Sequence, residues 1–385
     1  MQKEKGFIVM KRAILFILVA ALAVCMFAGC GEKAEQASSA PSASPEQTAE
    51  AATRTITDMV GRTVEIPATV EKIVPLGNTP RLITYLGLAD KAVGIGECEH
   101  ATSPIQAYAF INKDLWANLP NVGTDAMGET AYYAEEIIKV APDVILCTYT
   151  KDVADDIQKQ TNIPVVSVAA GNLFQKDFDD ALLMLGDVCG VEKRAEEIIT
   201  YISECLNDLK TRTADISEAD KPLALAAAAT FKGVHGIEGV YTNYPVFSTI
   251  GVKDAAQGVS ETVGGVLVDK EKILEWNPQI IFFDSEGVKL VKEDYGKSPD
   301  YYKQLQAVNE GNLYQYPNST YHWTNVEIPL ANAYYIGSLL YPDQFKDIVV
   351  KDKANEIFKF FLGDDNYLSK LEAAGAGYGK VDLGA

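Results

Sequence analysis

The chain has 385 residues, with 34 Lys and Arg against 53 Asp and Glu, three His and six Cys, for a formal charge of −19. Residues 1–29 carry a net +3, so the remainder stands at −22. A balance this acidic excludes nucleic acid as a partner, which needs a basic face, and three scattered His argue against a His-rich metal site.

Met10-Lys11-Arg12 precedes an uninterrupted apolar run, Ala13 to Ala28, that closes on Phe27-Ala28-Gly29-Cys30. A basic start, an apolar core shorter than the ~20 residues of a membrane span and small residues before a Cys read as an export signal over 1–29. The ending resembles a lipobox, which makes Cys30 the expected lipidated first residue of the exported form. An ordinary secretory signal or a single membrane span are the alternatives. Residues 30–54 are Ala, Ser, Glu, Gln and Pro without apolar periodicity and read as a flexible tether. More than 300 residues follow, too many for one ordinary core, so two domains are expected.

The folded body opens with a predicted hairpin from Thr55 to Pro67, turning at Gly61-Arg62. Strand Lys72–Leu76, helix Thr79–Leu86, strand Val93–Ile95, helix Ala131–Val140, strand Val144–Cys147, helix Val153–Gln160 and strand Val165–Val168 follow. Such alternation predicts a mostly parallel sheet with helices on both faces, a first lobe over 55–190. Val191, Ala195, Ile198, Ile199, Ile202, Leu206 and Leu209 then share one helical stripe, which predicts a rod over 191–212, about 33 Å long. Strands Leu223–Ala229, Ala256–Val259, Ile280–Phe283 and Leu313–Tyr316, with a helix Pro329–Leu340 stopped by Pro342, predict a second α/β lobe over 213–372. Residues 373–385 read as a flexible Gly-rich tail.

One segment occurs twice. Glu135 to Cys147 (EEIIKVAPDVILC) returns 136 positions later as Glu271 to Phe283 (EKILEWNPQIIFF). Each copy is a charged helical turn, an apolar ridge, a Pro that ends the helix and a buried strand. Upstream, LGLADKAVGI (Leu86 to Ile95) resembles IGVKDAAQGV (Ile250 to Val259). Two similar lobes in one chain imply a ligand cleft between them. Cys98, Cys147, Cys189 and Cys205 show no CxxC or other metal-ligand spacing. Buried free thiols are the expectation, and a disulfide between Cys98 and Cys147 the alternative.

The opening TITDMVGRTVEIPATVEKIVPL, the two junctions, the long helix between lobes and the lipobox resemble the substrate-binding lipoproteins of ABC importers. The type is the one whose lobes are joined by a single rigid helix, serving ferric siderophores, haem and cobalamin, with some relatives taking molybdate or tungstate. The resemblance covers nearly the whole exported chain. It implies an extracytoplasmic, lipid-anchored monomer that passes a metal chelate or oxyanion to a permease and its ATPase, with no cofactor or metal of its own. It also implies modest lobe closure. In the cobalamin-binding member a Glu near the start of this helix in each lobe docks onto basic permease residues, and Glu135 and Glu271 fall on those positions. First-turn Glu residues that only complement the helix dipole are the alternative. By family frequency an iron chelate (siderophore or haem) comes first, a corrinoid second, molybdate or tungstate third.

In such a frame ligands sit at loops after the carboxyl ends of parallel strands. In the first lobe these are 77–81, 97–103 and 148–151; in the second, 230–244, 284–286 and 317–327. The last, PNSTYHWTNVE, gathers aromatic and polar groups suited to a flat or chelated ligand. The candidate ligand-binding residues are therefore Asn78, Arg81, Tyr149, Tyr321, His322, Trp323 and Asn325. Arg81 is the candidate for an anionic group, since its guanidinium lies beside a helix start. His322 is a candidate metal ligand, with a hydrogen-bonding role as the alternative. No P-loop, G-x-S-x-G or H-E-x-x-H is present, so no catalytic residue is expected. An exported α/β enzyme is the alternative from another class.

Overall fold

The computed structural model describes residues 52–125, 130–169, 171–321 and 323–384, with Thr320, Tyr321, Trp323 and Thr324 described through their backbone. The expected signal, Cys30 and most of the tether lie outside the described residues.

Two α/β lobes face each other across a cleft. In the first, strands Ile73–Pro75, Val144–Cys147 and Val165–Ser167 run parallel in that order. Backbone pairing of Ile73 with Ala92 and Val93 carries the sheet on to Ile95–Gly96, Asn121–Thr124 and an antiparallel edge, Ala131–Tyr132. In the second, Leu223–Ala227, Ile280–Asp284 and Leu313–Tyr316 form the parallel centre. Gly239–Thr242 and Gly264–Leu267 extend it antiparallel on one side, and Gly379–Lys380 on the other.

The central strands are buried on both faces, and their period of two sorts side chains between cores. Ile73, Val144, Leu146 and Val166 from the first sheet enter the same inner core as Ala224, Ala226, Ile280 and Phe282 from the second. The alternate residues, Val74, Ile145, Cys147 and Val165, pack an outer core of the first lobe. Leu225, Ala227, Ile281 and Phe283 do the same for the second. Cys147, Cys189 and Cys205 are buried and Cys98 half-buried, all as free thiols.

The repeat is preserved down to backbone angles. Helix Ala134–Val140 ends on Ala141 at φ 45, ψ 62, and helix Lys270–Trp276 ends on Asn277 at φ 43, ψ 62, each left-handed and each ahead of the Pro. A residue before Pro is barred from the helical region, and the left-handed turn aims the chain back along the sheet. The residue after each Pro then starts the strand by donating to the neighbouring strand: Asp143 to Lys72 O at 2.8 Å, Gln279 to Leu223 O at 2.9 Å. One apolar residue of each helix, Ile137 or Ile273, is fully buried in its outer core, leaving Glu135 and Glu271 exposed on equivalent outer faces.

The rod is a 22-residue helix, Glu192–Thr213. It lies on helix Lys176–Cys189 of the first lobe and on helices Pro245–Thr249 and Glu327–Leu340 of the second. It is not the only bridge. Helix Val350–Leu362, which sequence patterning did not identify, crosses onto helices Thr79–Tyr85 and Ala107–Ile111 of the first lobe. Tyr85 meets Phe361 edge-on at 5.1 Å, and Arg194 of the rod covers the Phe360 ring at 4.4 Å while donating to Phe360 O at 2.6 Å. Tyr367 closes the seam by donating to Pro104 O at 2.7 Å. Truncating a buried ring of this kind costs about 3–5 kcal/mol, so the seam resists wide opening.

Three expectations need correction. The stretch 256–259 is a turn rather than a strand: the Asp254 carboxylate accepts from Ala256 N–H at 2.9 Å, and the pairing residues are Lys253–Asp254. The tail is not loose, because Gly379–Lys380 adds an edge strand beside Tyr314-Gln315 and Val381 and Leu383 fill the outer core. Arg62, read only as a turn residue, is 5% exposed and ties the opening hairpin down. It donates to Asp155 at 2.6 Å, Gln158 at 2.6 Å and Val165 O at 2.7 Å, with Asp58 at 3.1 Å.

Candidate ligand cleft

A cavity of about 270 Å³ lies between the lobes. Its first-lobe wall begins where strand Ile73–Pro75 turns at Gly77 (φ 63), a position where a Cβ would stand 2.4 Å from the Thr148 hydroxyl. The turn delivers helix Thr79–Tyr85, whose first turn places Arg81 on the wall. Arg81 is only 3% exposed, and its guanidinium carbon lies 5.5 Å from the centre of the Phe178 ring. Gly171 (φ 77) lies against Phe178, where a Cβ would fall 2.9 Å from its Cα, and the loop 171–173 joins the wall.

The second-lobe wall is aromatic. Tyr241 and Tyr244 stack at 5.2 Å, and Tyr244 lies parallel to Tyr316 behind it at 6.2 Å. Phe231 completes the face because Gly265 leaves room for it: a Cβ there would fall 2.0 Å from the ring. Beneath these rings Tyr241 donates to Asp284 at 3.2 Å. Asp284 has no exposure, and burial pushes its carboxyl up to about 7.

At the floor the lobes touch through polar groups. Tyr85 donates to Glu327 Oε2 at 2.5 Å and accepts from Val326 N–H at 3.2 Å. Burial raises Glu327 to about 7, against the pull of the Tyr85 hydrogen bond and of Arg81. Burial lowers Arg81, while Tyr85 and Glu327 oppose that shift. Glu99, in the first lobe, is buried beside Gln106 and raised to about 8.

Of the seven candidates, Arg81 lines the cavity. Asn78, 2% exposed, donates its backbone N–H to Thr148 Oγ1 at 3.0 Å. Tyr149 lines a separate small recess of the first lobe, where its hydroxyl donates to Asp125 at 3.2 Å. Asn325 closes its own loop, donating from backbone and side chain to Ser319 O at 2.8 and 3.3 Å. Tyr321 and Trp323 pair in a short antiparallel ladder, with the loop's flanks, Ser319 and Val326, on the cavity wall. Their side chains and His322 lie outside the described residues. Sequence reasoning did not single out Phe178, Phe231, Tyr241 or Tyr244. The signal for the last three was the loop 230–244, already placed at a strand end.

Residues 79–320 match the family described as periplasmic binding protein. The chain is 24% identical over 331 residues to the ABC transporter substrate-binding lipoprotein YvrC of Bacillus subtilis (strain 168), covering 85% of this chain and 96% of that one. It is 26% identical over 316 residues to the iron-uptake system-binding protein of the same organism, covering 79% and 90%. A solved periplasmic solute binding protein of Veillonella parvula DSM 2008 superposes with a TM-score of 0.65 at 23% identity, over 81% of this chain and 93% of that one, a likeness of fold.

Buried carboxyls give the fold a pH dependence of definite sign. A folded-state pKa above the unfolded value means that the folded protein holds the proton longer, so stability is greatest in acid and is lost as pH rises. For Glu327 the loss runs from its ordinary 4.5 up to about 7 and then stops. The step corresponds to about 3 kcal/mol. Denaturant melts from pH 4.5 to 8 are expected to show stability falling with pH, with a visibly shallower slope in Glu327→Gln; equal slopes in the two proteins contradict the assignment.

Proposed function

The chain belongs to the periplasmic binding protein family, and from that premise we propose that it is the lipid-anchored receptor of an ABC importer for an iron chelate, a siderophore or haem. Proteins of this family bind a small solute outside the cytoplasm and hand it to a permease driven by an ATPase. The observation that carries the cargo assignment is the cavity wall: Phe178, Phe231, Tyr241 and Tyr244 set against one buried guanidinium. Flat apolar surface with a few placed polar groups suits an organic ligand wrapped around a metal. Similarity to an iron-uptake binding protein supports the same reading. A corrinoid is the alternative chelate. Arg81 on the wall favours a second reading, an oxyanion such as molybdate or tungstate held by its guanidinium.

Delivery then uses the outer faces. Glu135 and Glu271 stand exposed at the first turns of two helices with matching backbone geometry. Two separated carboxylates meeting a basic, two-fold permease would set its orientation through charge complementarity. Cys30 is the proposed lipid attachment site, which keeps the receptor at the membrane as a monomer; similarity to a named lipoprotein supports the anchor.

Thermal-shift titration of the exported chain against ferric siderophores, haem, cobalamin and molybdate is expected to show stabilisation by a ferric chelate, about 2.7 kcal/mol at a hundredfold excess over Kd. Arg81→Gln is expected to weaken that binding about tenfold or more, the loss of a charge-assisted hydrogen bond. Stabilisation by molybdate alone overturns the chelate assignment.

In whole cells, Glu135→Lys with Glu271→Lys is expected to cut chelate uptake about tenfold or more, equivalent to about 1.4 kcal/mol of docking energy, while the purified variant binds cargo like wild type. Unchanged uptake removes the docking role. Cys30→Ser is expected to release the protein from the membrane fraction into the medium; a variant that stays membrane-bound counts against lipidation.

A further inference from the structure

The two repeated helices keep their lysines occupied. On helix Ala134–Val140, Lys139 pairs with Glu136 at 2.5 Å. On helix Lys270–Trp276, Lys272 pairs with Glu275 at 2.9 Å and Lys270 reaches Asp294 of helix Val288–Lys297. Glu135 and Glu271 make no ion pair among the described residues. Apolar side chains gather beside them. Of the ten large apolar residues exposed among the described residues, Tyr133, Ile138, Val263 and Leu267 lie close in sequence to one or other carboxylate. Ile138, 48% exposed, follows Glu135 by three positions and so shares its side of the helix. Leu267, 60% exposed, ends the strand Gly264–Leu267, which leads into the helix that carries Glu271. Its exposure has a plain cause: the residue opposite it across the sheet is Gly239, which offers no side chain to pack against. The first lobe follows the same plan, with the antiparallel edge strand Ala131–Tyr132 leading into the helix of Glu135. Val263, just ahead of Gly264, lines the cavity, so the strand Gly264–Leu267 joins the cavity's edge to the second carboxylate's helix.

We propose that Ile138 and Leu267 are the points at which the permease grips the receptor, one on each lobe, while Glu135 and Glu271 steer it into place. The inference rests on the permease-docking reading of the two carboxylates and names what completes that surface. Single exposed apolar residues are ordinary on a protein. These differ because one stands beside the carboxylate in each lobe, on elements that the duplication made alike. The two kinds of group do different work. An exposed carboxylate acts at a distance, is screened by salt and governs the rate of encounter. An apolar side chain acts only in contact, is indifferent to moderate salt and governs how long a complex lasts. The partner that fits is a membrane protein with two apolar recesses, each bordered by Lys or Arg. A second copy of this chain fits poorly, because it would set these carboxylates against each other.

The test is binding of the full exported chain to its purified permease–ATPase complex in nanodiscs, followed by interferometry from ~0.05 to ~0.5 M NaCl, a range that takes screening from weak to strong. Ile138→Ser with Leu267→Ser is expected to shorten the life of the complex about tenfold or more, with the association rate and its salt dependence unchanged. Glu135→Gln with Glu271→Gln is expected to slow association and flatten its salt dependence. Leu183→Ser with Val349→Ser, which removes comparably exposed apolar side chains elsewhere, is expected to bind as wild type does. All the altered side chains are exposed, so the three variants are expected to melt like wild type. A dissociation rate untouched by Ile138→Ser with Leu267→Ser, or a loss matched by Leu183→Ser with Val349→Ser, overturns the proposal. So does a wild-type dimer in sedimentation that dissolves in Ile138→Ser with Leu267→Ser, which assigns the surface to a second copy. If the Gln variant associates as wild type does at every salt concentration, the docking reading of the carboxylates fails. The dissociation rate of the Ser variant then decides the apolar contacts separately: a shorter life sustains them, and no change overturns them.

Discussion

Both sheets turn one face into the same apolar core, and that sharing constrains everything else in the molecule. Ile73 and Leu146 from one lobe and Ala226 and Phe282 from the other leave water together. At roughly 25 cal/mol per Å² of apolar surface, pulling the lobes apart would have to expose an interior rather than an interface. The helix Glu192–Thr213 therefore acts with helix Val350–Leu362 and the Tyr85–Phe361 and Arg194–Phe360 contacts, and the seam is closed by more than a single strut. The same dryness explains why Tyr85 and Glu327 meet at 2.5 Å at the floor: a carboxyl excluded from water needs a donor within reach.

Much of the frame was legible because the signals were local. Two-sided burial makes a strand a short continuous apolar run, and VILC and IIFF show it directly. Pro142 and Pro278 announce the ends of their helices, and the rod's stripe from Ala195 to Leu209 sits on the period of 3.6. What local pattern did not show was decided by long-range pairing. Gly239–Thr242 and Gly264–Leu267 are strands because they pair with each other and, through Val240, with Leu223–Ala227, and their Gly content argues against strands on propensity alone. Residues 256–259 looked like a strand, yet the Asp254 carboxylate captured Ala256 N–H and made a turn. The tail looked loose because Gly is frequent there, although Val381 and Leu383 had a core to fill.

The site was legible in outline and obscure in detail for the same reason. Strand-end topology pointed to three of the loops that line the cavity, 77–81, 230–244 and 317–327, while 97–103, 148–151 and 284–286 stay off its wall; Arg81 followed from the chemistry of one residue. The aromatic wall did not follow, because it is made by absences as much as by rings. Phe231 reaches the cavity because Gly265 has no side chain, and Phe178 packs under Arg81 because Gly171 lets the backbone come close. No periodicity in the sequence connects positions 231 and 265. The weight given to the loop 317–327 came from its composition, whereas Asn325 turns its backbone N–H and its side-chain amide onto Ser319 O to close the turn.

Duplication and asymmetry divide the labour between faces. The repeated segments build outer surfaces that are equivalent in the two lobes, down to left-handed caps at φ 45 and φ 43. Equivalent outer faces suit a partner with equivalent halves. The inner faces differ: one lobe contributes a guanidinium, the other aromatic rings and a carboxyl buried against Tyr85 at the seam. The edge of the cavity is open, with Val263 exposed, whereas Arg81 and Glu327 are held almost wholly out of water, so the polar groups of the cleft are fixed by packing while its rim is not.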